Sequence, residues 1–266
     1  LSYMNIDVLN DRGIGPLQDG LAKLREIDSR DELVAAFGRS FIENTATPFG
    51  FYVGADRSNP DRHQLVLSVG GISLPDRDYY LRDTEEVRSA YIDHVTEILE
   101  FASIEDANAK ARAILNLETS IAENLWPRNQ RRNRDLTYNP MTFTEFKNSY
   151  SEFDWDSYFN EAGISNLEDL NVSYPSAMSP IIDLVNSRPI SDWVNYMTYR
   201  FIADSASTLS EELDNARFNF YSTVLRGVPE QRERWERGVS RVGALNSLGE
   251  AVGQVPCRPR RAGRVL

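Results

Sequence analysis

Histidine and cysteine, the side chains that most often hold zinc or act as nucleophiles, are scarce in this sequence: it contains only His63, His94 and Cys257. The helical motif His-Glu-x-x-His places two zinc ligands one turn apart, but His94 is followed by Val-Thr-Glu and His63 by Gln-Leu-Val. No Gly-x-Ser-x-Gly turn, phosphate loop or dinucleotide fingerprint occurs either. We therefore expect no catalytic residue, metal site or cofactor site within this chain.

Two acidic residues, Asp154 and Asp156, lie in the aromatic segment 153–159, F-D-W-D-S-Y-F. A carboxylate pair beside aromatic rings is compatible with a glycan-acting enzyme. In the other interpretation the rings pack in the core while the acids cap a helix or face water. We favour packing, because acids at this spacing are common where helices begin.

A basic pair, Arg131 and Arg132, lies in the segment W-P-R-N-Q-R-R-N-R-D. These arginines could bind an anion or a phosphate. They also follow a predicted helix C-terminus, where cations bond the last carbonyls and interact favourably with the helix dipole. A structural role is at least as well supported as anion binding.

The segment 70–83, G-G-I-S-L-P-D-R-D-Y-Y-L-R-D, combines chain-breaking residues with charges and tyrosines. Gly70 and Gly71 permit a turn, and Pro75 stiffens its exit. The charged residues 76–78 can cap and pair beside the next helix while the residues 79–81 pack. We expect a structural corner between a strand and a helix.

The surrounding patterns are mostly helical. Ser29 and Glu32 have capping-box spacing before a helix at about 31–44. Two β-rich runs, Phe49 to Ala55 and Gln64 to Val69, are joined by the turn formers D-R-S-N-P-D-R, which predicts a hairpin. The spacing of Asp83 and Glu86 again suggests a capping box.

Two long helices are expected next, the second starting near 103–106 and ending before Trp126-Pro127, and they should form an antiparallel pair. Shorter helical periods follow at 142–150, 154–162, 177–186, 190–204 and 209–225. The predicted fold is mainly α, with one small β-hairpin near 49–69 as its only sheet.

Composition favours a globular protein. The 266 residues are 41% hydrophobic and 11% aromatic, which is enough for a substantial core. A net charge of −11 argues against nucleic acid and anionic membranes as partners. The single cysteine excludes an internal disulfide, and no run approaches the roughly 18 apolar residues of a membrane helix.

The last twelve residues differ from the rest, with four arginines, two prolines and no acid. The two prolines of this segment are Pro256 and Pro259. We predict one helical domain over 1–254 and an aberrant tail over 255–266. Our hypothesis for the tail is a frameshifted or truncated reading, which resequencing the locus would refute if an intact frame encodes the same tail.

Several motifs occur in a fixed order along residues 1–254. They are F-Y-V-G-A-D-R-S-N-P-D, G-G-I-S-L-P-D-R-D-Y-Y-L, L-E-T-S-I-A-E-N-L-W, Y-N-P-M-T-F-T-E-F, W-V-N-Y-M-T-Y-R-F-I, A-R-F-N-F-Y, L-R-G-V-P-E-Q-R-E-R-W-E-R-G-V and L-G-E-A-V-G-Q. The ordered set resembles the N-terminal domain of the M13 zinc metallopeptidases, the family of neprilysin, endothelin-converting enzyme and bacterial PepO.

This resemblance implies a helical cap lobe that closes over a thermolysin-like catalytic lobe and encloses a peptide chamber. The family's zinc ligands lie in His-Glu-x-x-His and a downstream Glu-x-x-x-Asp, and neither these nor its Asn-Ala-aromatic-Tyr substrate motif occurs here. Zinc is therefore expected only in the full-length enzyme, and the missing partner is the C-terminal catalytic lobe. Family resemblance also implies an extracytoplasmic location, with the signal or anchor outside this sequence, so the chain looks like a fragment at both ends.

Arg77 is the one candidate substrate-binding residue that the resemblance suggests. In this role its guanidinium would face the chamber and bind a peptide carboxylate through two parallel hydrogen bonds. The leading interpretation is thus a non-catalytic portion of a zinc metalloendopeptidase that encloses peptide substrates. The alternative is a stand-alone helical domain that binds peptides or proteins, and a glycan-acting enzyme is the weakest reading.

Overall fold

Helices build most of the computed structural model, which describes residues 2–82 and 84–243. It is 61% helical and 9% strand, so the predicted mainly α class is confirmed. The α-helices are α1 Ile6–Arg12, α2 Gln18–Arg25, α3 Arg30–Ile42, α4 Asp78–Leu81, α5 Glu85–Phe101, α6 Ala107–Asn124, α7 Arg128–Arg131, α8 Phe143–Ser149, α9 Trp155–Glu161, α10 Pro175–Ser187, α11 Ile190–Ser205, α12 Glu211–Phe218 and α13 Arg234–Val242. None of these helices is long and apolar enough to cross a membrane.

The single sheet of the described residues is larger than the predicted hairpin. Its strands are β1 Phe49–Ala55, β2 His63–Val69, β3 Pro140–Thr142 and β4 Asp169–Val172. The hairpin is confirmed, with Phe49 opposite Val69 in an antiparallel ladder. β4 pairs in parallel with β2, and β3 closes the order β1-β2-β4-β3. The two added strands escaped prediction because they are only three and four residues long.

Local capping explains where several helices begin. Ser29 accepts the Glu32 amide at 3.4 Å, and the Glu32 carboxylate reaches the Asp28 amide at 3.0 Å. Thr142 and Glu145 form a complete capping box at the start of α8. Asp83, which belonged to the second predicted capping box, lies outside the described residues.

The core contains a large aromatic cluster between the sheet and α9. Phe49 makes edge contacts with Trp155 and with Phe153, each at a centroid distance of 5.0 Å. Tyr158 donates to the Phe49 carbonyl at 3.0 Å. Gly38 of α3 faces the Tyr158 carbonyl so closely that no side chain would fit, so α3 and α9 pack with their backbones nearly touching.

A second packing unit is formed by α5 and α6, which contact each other and α11. Its α6 begins at Ala107, preceded by Asp106 in the left-handed region at φ 53°. The predicted helix over 209–225 is divided here: α12 ends at Phe218, and the π-helix Asn219–Val224 continues it. This π-helical turn places Phe220 against α5, where its ring stacks on His94.

Candidate functional site

The corner between β2 and α5 depends on one glycine. Gly71 adopts φ +91°, and a Cβ added there would lie 2.9 Å from the Pro48 Cα. The Tyr196 hydroxyl donates to the Gly71 carbonyl at 2.8 Å. Only glycine allows both the positive φ and this close approach.

Tyr80 connects the corner to the helices behind it. Its hydroxyl accepts the amides of Ser73 at 3.1 Å and Leu74 at 2.9 Å. The same hydroxyl donates to Glu118 Oε2 at 2.6 Å. Burial raises the pKa of Tyr80 well above its ordinary value, and the neighbouring Glu118 carboxylate adds to this rise, so the phenol remains protonated.

Glu118 of α6 is the centre of a buried polar group that we call the Glu118 cluster. It comprises Ser73, Tyr80, Tyr91, Glu118 and Arg200. The Glu118 carboxylate is 0% exposed and also accepts the Ser73 hydroxyl at 2.5 Å and the Tyr91 hydroxyl at 2.9 Å. Arg200 donates to the Ser73 hydroxyl at 2.7 Å.

The Arg200 charge and the hydrogen bonds of this cluster offset part of the cost of burying the Glu118 carboxylate. Burial raises the pKa of Glu118, while Arg200 and the three hydroxyl donors oppose that rise. Arg200 also pairs with Asp204 at 3.3 Å, and Asp204 accepts the Ala46 amide at 3.1 Å. Because the carboxylate has no exposed surface, the cluster can hold the corner in place but offers no access for a substrate.

Sequence reasoning did not single out Glu118, although a signal was present. Glu118 follows Ile114 by four residues and precedes Ile121 by three, so it interrupts the apolar face of α6. A charged residue at such a position predicts a buried partner.

Arg77, the predicted substrate-binding residue, precedes α4, and its side chain reaches the C-terminal end of α6. Its guanidinium donates to the Leu125 carbonyl at 2.6 Å and to the Glu123 carbonyl at 3.4 Å. The neighbouring Asp76 pairs with Arg131 at 2.5 Å. Arg77 and Arg131 therefore both stabilise the junction between the corner and α7, and Arg132 is exposed beside them.

The acids of the segment 153–159 have ordinary structural partners. Asp154 caps α9 by accepting the Ser157 amide at 3.0 Å, and Asp156 pairs with Lys147 at 2.8 Å. Phe153, Trp155 and Phe159 are buried. These rings are therefore not available to stack on a sugar.

The two histidines lie in different surroundings. His63 is exposed at the start of β2. His94 is buried between aromatic rings, with Phe220 stacked at 4.8 Å and Tyr199 and Tyr221 edge-on. Burial lowers the pKa of His94 to about 3, and the charge of Arg217 contributes to this shift.

Zinc needs three or four converging donors. Within residues 2–82 and 84–243, no group of three or more His, Cys, Asp or Glu side chains is arranged to hold a metal ion. The described residues thus do not fit a zinc site. Cys257 lies outside them.

A prominent apolar surface lies on α13, a helix that sequence reasoning did not delimit. Trp235, Val239 and Val242 are 56%, 64% and 48% exposed at a spacing that places them on one side of the helix. Tyr3 and Met4 line the same cavity of about 660 Å³. We call these five residues the α13 face.

α13 is held by a buried ion-pair group. Asp214 of α12 is 3% exposed and pairs with Arg237 at 2.7 Å and Arg234 at 3.4 Å. Arg234 also donates to the Tyr3 carbonyl at 2.7 Å, and its guanidinium lies 4.3 Å from the centre of the Tyr3 ring. The helix and the N-terminal residues are thereby joined into one surface.

Comparison with known proteins relates this fold to peptidases. The sequence model of Peptidase family M13 matches residues 1–258. Endothelin-converting enzyme 1 from Cavia porcellus is 26% identical over 218 residues, covering 79% of this chain and 29% of the relative. Neprilysin from Mus musculus is 25% identical over 246 residues, covering 84% of this chain and 32% of the relative.

A solved structure shows the same architecture. The cryo-EM structure of the Mycobacterium tuberculosis zinc metalloprotease Zmp1 in an open state has a TM-score of 0.88 and 31% identity, covering 95% of this chain and 40% of that protein. Fold and comparisons together define a helical lobe of the zinc metallopeptidase class. The chain belongs to Peptidase family M13, and it corresponds to the N-terminal domain of the family's enzymes. It spans less than half the length of these relatives.

Proposed function

We propose that this chain is the enclosing, non-catalytic lobe of an M13 zinc metalloendopeptidase that hydrolyses peptides. Its role is to cover one side of a peptide chamber, while a second lobe holds the zinc. When zinc is bound in such an enzyme, it activates water for attack on a peptide bond. The residues of this chain contribute shape and support to the chamber.

The α13 face is the observation that carries this proposal. Three large apolar side chains on one helix remain exposed, and the helix beneath them is fixed by the Asp214 pairs. A fixed, contiguous apolar surface of this kind is typical of a packing interface. The matched part is 29% of endothelin-converting enzyme 1 and 40% of Zmp1, which leaves enough chain in these relatives for a second lobe that would cover the α13 face.

Two further parts of the proposal concern boundaries and location. We propose that the helical domain extends to residue 254 and that the segment 255–266 is a separate tail. We also propose an extracytoplasmic location, which follows from the likeness to neprilysin and endothelin-converting enzyme 1. Fractionation of cells that express the intact gene would test the location.

Arg77 is retained as a proposed contact for a peptide carboxylate. Its weaker hydrogen bond, to Glu123, is in an exposed setting, which leaves part of the guanidinium facing solvent. In a full-length enzyme, Arg77→Ala should raise KM for a peptide with a free C-terminus more than for its amide. Equal KM changes for the two peptides would refute this role.

A chimera tests the enclosing function. This chain would replace the matched region of Zmp1, and cleavage of a quenched fluorescent peptide would be measured with and without a chelator. Val239→Glu on the α13 face should lower the chelator-sensitive rate by about tenfold or more, because it buries a charge in the lobe interface. Leu136→Glu is the matched control, since Leu136 is an exposed apolar residue, at 45%, outside that face.

An unchanged rate in the Val239→Glu chimera would contradict the proposal. If a peptide that Zmp1 cleaves binds the isolated chain as tightly as it binds the chimera, the stand-alone peptide-binding domain is the better description.

A further inference from the structure

Among residues 2–82 and 84–243, no strand or side chain bonds the outer edge of β1 over its second half. The order β1-β2-β4-β3 leaves β1 with one neighbour among the described strands. Hydrogen bonds at both ends of the ladder, from the Gly70 amide to Pro48 and from the Asp56 amide to Arg62, show that even-numbered residues of β1 bond to β2. In an antiparallel pair the alternate residues therefore direct their N–H and C=O groups away from the partner strand.

The first half of this edge is already covered. The Phe49 carbonyl accepts the Tyr158 hydroxyl at 3.0 Å and the Thr47 hydroxyl at 2.9 Å. Farther along, in the described part of the chain, no strand or side chain bonds the outward groups of Val53 and Ala55. Val53 is also 60% exposed. Uncovered edges normally carry charged or proline gatekeepers, and β1, F-G-F-Y-V-G-A, has neither.

A cavity lies on the sheet face that carries the Val53 side chain. It measures about 510 Å³ and is lined by Val53 and Leu65 of the hairpin and by the loop 164–168. Val53 and Leu65 are opposite each other in the ladder, so their side chains share one sheet face. A strand added beside β1 would direct alternate side chains to that face, next to Val53, which forms the β1 side of the cavity.

The chemistry of the cavity restricts its occupant. Ile164 and Leu167 add apolar lining, while the two charged groups at the far wall, Arg62 and Asp169, neutralise each other in a salt bridge. Gln64 further donates to Asp169 at 3.0 Å. The remaining charge, Glu168, disfavours an acidic ligand. Ser165 and Asn166 add uncharged polar lining, so the cavity suits a chain of small apolar and hydroxyl side chains without acidic groups.

We propose that β1 binds an extended, uncharged peptide by strand addition, with backbone hydrogen bonds to Val53 and Ala55 and alternate side chains packed against Val53 beside the cavity. Strand addition is an established mode of peptide recognition, in which the backbone supplies affinity and alternate side chains supply specificity. The site lies wholly within this chain. Its test uses the isolated chain, so its failure would leave the enclosing function untouched.

The probe is a fluorescein-labelled peptide of alternating valine and threonine, and its anisotropy would be followed on titration with the purified chain. Val53→Pro is the informative variant, because the lost N–H faces outward and the β1–β2 ladder loses no hydrogen bond. We expect affinity to fall about tenfold or more, consistent with loss of backbone pairing. Tyr52→Thr, on the opposite sheet face, should bind within about twofold of the wild-type chain. Circular dichroism would verify that both variants fold.

Backbone methylation of the peptide separates strand addition from simple apolar contact. Methyl groups on one set of alternate amides should abolish binding, while methyl groups on the other set should leave it intact. The proposal is overturned if the wild-type chain does not bind the peptide, if Val53→Pro binds as tightly as wild type, or if both methylated peptides bind equally.

Discussion

At the scale of single residues, Glu118 has the largest structural role that we identify. One carboxylate accepts hydroxyls from Ser73, Tyr80 and Tyr91, and these belong to the corner and to α5. A buried carboxylate with three donors stabilises a fold only while every donor keeps its partner. Glu118 therefore explains why the corner carries serine and tyrosine.

Replacing Glu118 by alanine should destabilise the protein strongly. Three hydroxyls and Arg200 would lose their acceptor or counter-charge inside the core, so the free energy of unfolding should fall by about 3–5 kcal/mol. Urea denaturation measures this change. Glu123→Ala, at an exposed position of the same helix, should cost less than about 0.5 kcal/mol. A loss below about 1 kcal/mol at Glu118 would show that the cluster is dispensable.

His94 should make the free energy of unfolding depend on pH. The pKa of His94 is lowered from 6.5 to about 3 in the folded chain. Between about pH 3 and pH 6.5 the imidazole is therefore protonated in the unfolded chain and neutral in the folded chain. Stability attributable to His94 is therefore complete above about pH 6.5 and falls as pH decreases, by about 1.4 kcal/mol per pH unit. The aromatic rings of Tyr199, Tyr221 and Phe220 provide no acceptor for an added proton.

His94→Phe tests this dependence because phenylalanine preserves the stacked ring without titrating. Unfolding free energies from pH 7 to pH 4 should fall less steeply in the variant than in the wild-type chain. His63→Gln, at the exposed histidine, is the matched control. Parallel slopes for His94→Phe and wild type would contradict the burial-driven shift.

At the scale of elements, the sequence predicted structure where local pattern and local physics agree. The hairpin, α3 and α10 follow from turn formers, capping residues and helical periodicity. β4 could not be predicted this way, because D-L-N-V gains strand character only by pairing with β2, which lies about a hundred residues earlier. The four-residue helices α4 and α7 likewise contain too little periodicity.

The functional surfaces were less predictable than the elements. The helix around Arg234 had a readable signal, since Trp235, Val239 and Val242 follow helical spacing. Its attachment could not be predicted, because it depends on Asp214, twenty residues earlier. The free edge of β1 similarly depends on strand order, which no local pattern specifies. In contrast, the absence of a zinc motif was readable directly, since ligand spacing is a property of sequence.

The attachment of α13 should depend on Asp214. Asp214→Ala removes the buried partner of Arg234 and Arg237. We expect faster amide hydrogen exchange over residues 234–242 while α5 and α6 stay protected, because the variant loses only the ion pairs between α13 and α12. Asp183→Ala, at an exposed position of α10, is the matched control. Unchanged exchange in α13 would show that other contacts hold it.

At the scale of the whole molecule, the α13 face should make the isolated chain associate. Sedimentation velocity at increasing concentration should reveal oligomers, since exposed apolar area of this kind drives association. The double variant Trp235→Lys, Val239→Lys should shift the distribution to monomer, whereas Leu136→Lys should not. A wild-type chain that stays monomeric at high concentration would contradict an exposed packing interface.

The most direct test of the account is whether the chain performs chemistry on its own. The purified chain would be incubated with zinc and desalted, and then its metal content and its cleavage of a quenched fluorescent peptide would be measured beside intact Zmp1. We expect no stoichiometric zinc and no chelator-sensitive cleavage by the chain, with both present in Zmp1. Stoichiometric zinc together with chelator-sensitive cleavage by this chain would contradict its assignment as an enclosing lobe.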